Sequence, residues 1–339
     1  LLIASNLAEA ISNINLLWIA PAKSFPMKII ATSLFGADKI PYEQITNIED
    51  SSPNIIIYAI PAMFFFTVFE VVYSWHTNRQ NYKTKESLGS TFVGLGNVFL
   101  NVLLKVGLLY SAVWIYNLVP WRMTLNWWTL LPCYVVFDFC SYWAHRISHF
   151  QRFFWTTHVV HHSAEHYNLT VSFRLSWIQN FKIIFFLPVA FIGFHPIIFF
   201  TVSQIAVLFQ FWVHTEYIGK LHPWIEYIFA TPSNHRVHHG SQEKYIDKNF
   251  AATFIFWDRL FGTFQEEEEQ PEYGLTTKIG NRMDPLFLNF HEFNDMIRDI
   301  KRARGIRKKL FYAFASPGRI HEEKMKQRSV IEKQEEGNR

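Results

Sequence analysis

Long apolar runs with few interruptions dominate the first two thirds of the chain. Residues 55–75 carry no charge except Glu70 and are long enough to cross a bilayer core of about 30 Å. Residues 92–118 form a longer run, with Asn97, Asn101 and Lys105 at i, i+4 and i+8, one polar stripe on a helix. Residues 127–143 are shorter, with Asp138 as their only charge. Residues 181–213 divide at the Gly-Phe-His-Pro sequence of 193–196 into two arms, each marginal for a full span, which reads as a hairpin or re-entrant pair. The pattern predicts an all-α integral membrane protein with four or five membrane helices. Intramembrane charges ordinarily face a bundle interior, so Lys105 is expected to pair with Glu70 or Asp138.

Composition strengthens this reading. Half of the 339 residues are hydrophobic and only 18% are charged, against roughly 25% in an ordinary soluble domain. A soluble protein with buried helices is the alternative, and three long runs so poor in charge argue against it. Cys133 and Cys140 lie seven residues apart on one predicted helix, about 10 Å along its axis, too far to bridge.

Charge then sets an orientation. Basic residues collect in the loop at Arg79, Lys83 and Lys85, and in the tail at Arg298, Lys301, Arg302, Arg304, Arg307, Lys308 and Lys309. The positive-inside rule places both on the cytoplasmic side. Five spans satisfy it, and every histidine cluster then falls on that one face, as a histidine-rich helical cap. Residues 293–314 are expected to form a basic amphipathic helix on anionic lipid; beside membrane helices this argues against a nucleic-acid partner. The glutamates at 266–269 read as a solvated loop. The expected organisation is an N-terminal segment of unclear role (1–50), membrane helices (51–143), a histidine region that includes the hairpin (144–264), and a charged tail (265–339). Met27 reads as a start, and residues 1–26 are assigned no function.

The histidines carry the chemistry. His145 and His149 stand at i, i+4; His158, His161 and His162 form an H-x-x-H-H unit; His235, His238 and His239 repeat it. On a helix, the three members of each unit are expected to converge on one point. His214, at the end of the last apolar run, is a lone candidate to join them. Neutral imidazole is a ligand for iron, zinc, copper or nickel, and one metal rarely needs more than four to six protein ligands, so nine histidines predict two metals. His166 and His222 are reserve ligands; His76, His195, His291 and His321 lack the spacing, and His195 is placed on the opposite face. A zinc protease is excluded for want of H-E-x-x-H.

The order H-x3-H, H-x2-H-H, H-x2-H-H after apolar helices resembles the fatty acid hydroxylase and sterol desaturase superfamily over roughly residues 134–264. Within it, the stretches SYWAHRISH, HHSAEHYNLT, WVHTE, TPSNHRVHHGSQEKYIDKNFA and WDRLFGTF are most similar to the alkylglycerol monooxygenases. The resemblance implies an oxidoreductase that uses two irons and O2 to hydroxylate a C–H bond of a membrane lipid, cleaving the ether bond if the substrate is an alkylglycerol. Sterol, carotenoid or fatty-acid hydroxylation or desaturation is the alternative within the superfamily, and a non-catalytic metal-binding membrane protein the alternative outside it. Glu165 and Asn168, beside the second cluster, are candidates to orient ligand imidazoles, and Arg174 and Arg236 to hold a phosphate or carboxylate. Phe150 stands where a glutamate commonly follows the second histidine in that group, and Asn234 at another commonly polar position. The electron donor is left open between a tetrahydropterin and a cytochrome or iron-sulfur redox partner, and the oligomeric state is left open too.

Overall fold

The computed structural model describes residues 35–337 apart from Lys278 and Arg282; residues 1–26 and Met27 lie outside the described residues. The chain is helical, and no strand occurs among the described residues, only two isolated bridges. In chain order the helices are α1 (Ile45–Ser51), α2 (Ile55–His76), α3 (Thr84–Leu118), α4 (Leu130–Phe150), α5 (Arg152–Trp155) and α6 (Val159–His162). Two 3-10 stretches, Leu169–Phe173 and Gln179–Phe186, lead to α7 (Leu187–Phe191), α8 (Pro196–Trp212), α9 (Pro223–Ile228), α10 (Pro232–His239) and α11 (Phe256–Leu260). The tail is α12 (Pro285–Arg302), α13 (Ile306–Phe314) and α14 (Pro317–Gly337).

The first two predicted spans are continuous helices, α2 and α3, both long and apolar enough to cross a membrane. On α2 only Glu70 and Ser74 are buried, while Phe64, Phe65 and Phe69 stand exposed. An apolar surface of that extent needs an apolar surround. The other two segments depart from simple spans. The third run ends in α4, whose Cys133, Phe137 and Cys140 pack on Ile198, Val202 and Ala206 of α8; both thiols are free. The hairpin's first arm is largely 3-10 helix, and Gly193 (φ +91°) turns the chain where an added Cβ would lie 2.9 Å from the Trp121 carbonyl oxygen.

The polar stripe on α3 faces the segment after α6. Asn97 Nδ2 donates to the Ser176 carbonyl (2.9 Å), and Asn180 Nδ2 to Asn101 Oδ1 (3.2 Å). At Gly96 the Trp177 ring comes within 2.4 Å of where a Cβ would stand, so only glycine permits this approach. The pairing expected for Lys105 is corrected, because both carboxylates are spent on other donors. Glu70 receives Tyr82, Thr215 and the Leu169 N–H. Asp138 receives the N–H groups of Thr253 (2.9 Å) and Phe254 (3.1 Å) and Trp257 Nε1 (3.0 Å).

One tail reading changes and another, the solvated loop at 266–269, is extended. Gly305 (φ +79°) breaks the basic run into α12 and α13, and the buried Arg152 ties α12 to the body through Glu292 (2.6 Å) and Asp299 (2.7 Å). The glutamates at 266–269 are ion-paired, Glu266 with Lys220, Glu267 with Arg236, and Glu268 and Glu269 with Lys244. Basic side chains 24–46 positions away in sequence could not be paired with that loop before folding.

Candidate metal centre

Four stretches of chain bring imidazoles to one place. The last two turns of α4 present His145 and His149. His158 caps α6, whose single turn carries His161 and His162. His214 follows α8 and is steadied by its Nδ1–H, which donates to the Gln210 carbonyl (2.7 Å). The α10 helix starts at Pro232 behind Thr231, whose hydroxyl accepts the Asn234 N–H (3.2 Å), and it carries His235, His238 and His239.

These nine side chains sort into two groups. Group one is His145, His149, His158, His162 and His238; group two is His161, His214, His235 and His239; within each, one nitrogen per ring lies within 4.8 Å of all the others. The expectation that each H-x-x-H-H unit converges on one point is therefore corrected. In both units the i, i+4 pair goes to one group and the i+3 residue to the other, with the assignment reversed between units. The reason is angular: at 3.6 residues per turn, i+3 and i+4 diverge by about 100°. A two-sided helix in the middle of the site can serve both groups.

Group one rests on the segment 247–250. His145 Nδ1–H donates to the Phe250 carbonyl (2.8 Å), His238 Nδ1–H to the Lys248 carbonyl (2.9 Å), and His149 Nδ1–H to Asp247 Oδ1 (3.2 Å). With the proton fixed on Nδ1, each Nε2 is a lone pair; those of His145 and His149 are buried and have no donor. The segment is itself clamped by Asp258, fully buried, which accepts Phe250 N–H and Ala251 N–H (both 2.8 Å) and the Thr263 hydroxyl (2.6 Å). Burial pushes the Asp258 carboxyl up to about 6, against the pull of those donors.

Group two is knit through Nε2. His161 Nε2 lies 3.1 Å from that of His214 and 3.1 Å from that of His239, and His214 Nε2 lies 3.0 Å from that of His235. Ligand nitrogens at about 2.1 Å from one metal and 90° apart sit about 3 Å from each other, so both the spacing and the all-imidazole donor set fit a borderline metal such as iron or zinc. Burial, followed by the charge neighbouring rings would carry, holds His161, His162, His235 and His239 well below the usual histidine range, and burial alone holds His214 at about 4. The rings are therefore neutral at physiological pH, the form that ligates. Tyr167 packs on His239 and His214, and its hydroxyl donates to the Val213 carbonyl (3.0 Å).

The remaining candidates sit around the groups. His166 Nδ1 meets Glu86 Oε2 (2.6 Å), and neither it nor His222 joins a group. His195 caps the far end of α8, about 25 Å from its C-terminus. Glu165 lies exposed, its N–H bonded to Glu86 Oε1 (2.7 Å). Asn168 holds its own loop, donating to the Asn81 carbonyl (2.7 Å) and accepting from Thr170. Arg236 spends its guanidinium on Glu267 (2.7 Å, twice) and two carbonyls, and Arg174 contacts Glu86 Oε1 (3.3 Å). Sequence reasoning missed Asp258 and Glu86 altogether; an acid inside an otherwise apolar stretch was the available signal for the former.

Comparison with known proteins agrees with this geometry. Residues 130–263 match the fatty acid hydroxylase family. Alkylglycerol monooxygenase of Xenopus tropicalis is 36% identical over 278 residues, 80% of this chain and 61% of that protein. The Homo sapiens enzyme is 34% identical over 276 residues (78% and 60%), and that of Danio rerio 33% over 273 (78% and 60%). The chain thus spans about three fifths of the length of these curated relatives. No solved structure matches it. The chain therefore carries a match to the fatty acid hydroxylase family over residues 130–263 and is similar to alkylglycerol monooxygenases over most of its length.

Proposed function

We propose that this chain is an O2-dependent membrane-lipid monooxygenase whose two irons are held by group one and group two. The observation that carries the reading is the division of nine imidazoles, seven of them buried, into two compact sets. The relatives' activity supplies the substrate class, an alkylglycerol ether lipid. In this reading α2, α3, α4 and the hairpin form the membrane part, the histidines face the cytoplasm, and the tail from 265 lies against them. Two exposed apolar helices, and basic residues in the loop after α2 and in the tail, support that arrangement.

Bound iron would supply the electron-transfer chemistry that acid–base groups lack for breaking an unactivated C–H bond. The protein's own part is positional. Carbonyls of Lys248 and Phe250 and the Asp247 carboxylate fix which imidazole nitrogen carries the proton, and so which one faces the metal. Burial of seven of the nine rings shields them from bulk water. Hydroxylation of the carbon beside an ether oxygen consumes O2, two electrons and two protons and yields water and a hemiacetal. The hemiacetal then collapses to a fatty aldehyde and glycerol. The two electrons come from a tetrahydropterin or a reductase partner.

The test is metal analysis of the purified chain followed by O2 uptake and product analysis with an alkylglycerol. Two irons per chain and aldehyde release are expected. A chain that takes up no iron on reconstitution, or that holds iron but turns over no lipid, sinks the respective half of the reading.

A further inference from the structure

Glu70 is 5% exposed and sits on α2, sixty residues before the matched domain begins. Its carboxylate gathers three donors from three separate stretches: the Tyr82 hydroxyl, the Leu169 N–H (2.9 Å) and the Thr215 hydroxyl. Thr215 directly follows His214, a member of group two, and its oxygen also accepts the Tyr217 N–H (3.1 Å). Leu169 opens the 3-10 turn after the second histidine unit, next to Asn168, which is tied to Asn81. One buried carboxylate on an apolar helix thus pins both the turn leaving His214 and the loop leaving the segment that carries His161. The Leu169 tie reaches α6, which carries His158 and His162 of group one as well as His161, whereas the Thr215 tie adjoins a group-two ligand alone. The further supports of group one come from 247–250 and Asp258.

From this we infer that Glu70 is a positioning residue for the metal held by group two, acting through Thr215 on His214, and that the helical arm ahead of the matched domain is part of the metal centre's scaffold. The inference rests on the two-metal reading above. Three buried donors that share one acceptor fix its position, and the acceptor fixes theirs. Loosening it lets the His214 ring swing from the 3.0–3.1 Å approach it makes to His235 and His161. Loss of such an outer support typically lowers metal affinity by about 10- to 100-fold.

The experiment is a cobalt(II) titration of the full chain in detergent, read by the ligand-field absorption of the bound ion. Parent protein is compared with Glu70→Ala, Glu70→Gln and Thr215→Val. His161→Ala and His162→Ala serve as references, each leaving only one group intact. The expected result is two cobalt ions in the parent. In Glu70→Ala and Thr215→Val the ion absent from His161→Ala binds at least about tenfold more weakly and its spectrum changes, while the other ion is unaltered. Glu70→Gln, which keeps an acceptor in place, restores part of the loss. Should Glu70→Ala fail to fold, Thr215→Val alone carries the test, since it removes one hydroxyl and keeps the side chain's shape. Variants that bind both ions like the parent, or lose affinity equally at both groups, overturn the assignment and leave the two-metal reading standing. A parent that binds no cobalt overturns both.

Discussion

Group one draws its imidazoles from α4, α6 and α10 and props three of them on a single short segment, 247–250. Group two takes one residue from α6, two from α10 and one from the turn after α8, and its Nε2 atoms stand 3.0–3.1 Å apart, as do those of His158, His162 and His238 in group one. The same two H-x-x-H-H units feed both. What differs is the layer behind the rings: the single segment 247–250 in the first case, and the Gln210 carbonyl, a buried tyrosine and, on our inference, Glu70 in the second. Ligand pattern alone therefore does not determine how rigidly a metal is held. The backing does, and it comes from parts of the chain with no histidine signature.

The sharpest way to break this comparison is to exchange neighbours. His162→Ala and His161→Ala differ by one position, yet the first is expected to cost the group-one metal and the second the group-two metal, with lipid turnover abolished in both. Metal counting on each variant checks it, and loss of the same ion from both would show that the groups are one site. Next in size is Asp258→Ala, which strands two backbone N–H groups and a hydroxyl. About 2–4 kcal/mol of stability should go, on the usual cost of a buried donor left unpaired. Thermal melting reads the stability, and in the same variant the group-one ion should bind more weakly and the group-two ion normally.

Asp247→Asn is milder. The Asp247 side chain is partly open to solvent, so replacing its charge should weaken the group-one ion severalfold at most, and a titration that finds the group-two ion weakened instead would reverse the assignment. The smallest effect belongs to Tyr167→Phe. It removes the hydroxyl that donates to Val213 while keeping the ring on His239 and His214, and should lower stability by about 1 kcal/mol with both metals retained.

Much of this was written in the sequence. The i, i+4 spacing of His145 and His149 and the repeated units named eight of the nine members, with His214 a lone candidate beside them, and the charge-poor runs named α2 and α3. The split of each unit was not legible, because it depends on which neighbours stand on either side of α6 and α10. Partners of the acids on α2 and α4 were misread for a similar reason. Glu70 and Asp138 could be seen as charges needing company, but the company proved to be Tyr82, Thr215, the Trp257 indole and backbone N–H groups. Backbone donors have no signature in a sequence. The break at Gly305 was visible as a residue type, and only its φ of +79° makes it a boundary.

The reversed sharing of the two units also sets an order of events during synthesis. By the time residue 162 has left the ribosome, four of the five group-one imidazoles exist, and only one of the four in group two. The first metal pocket is nearly complete before the hairpin is made, whereas the second waits for α10. Both groups are closed by α10, His238 completing the first and His235 and His239 the second, but the first starts from four of its members and the second from two.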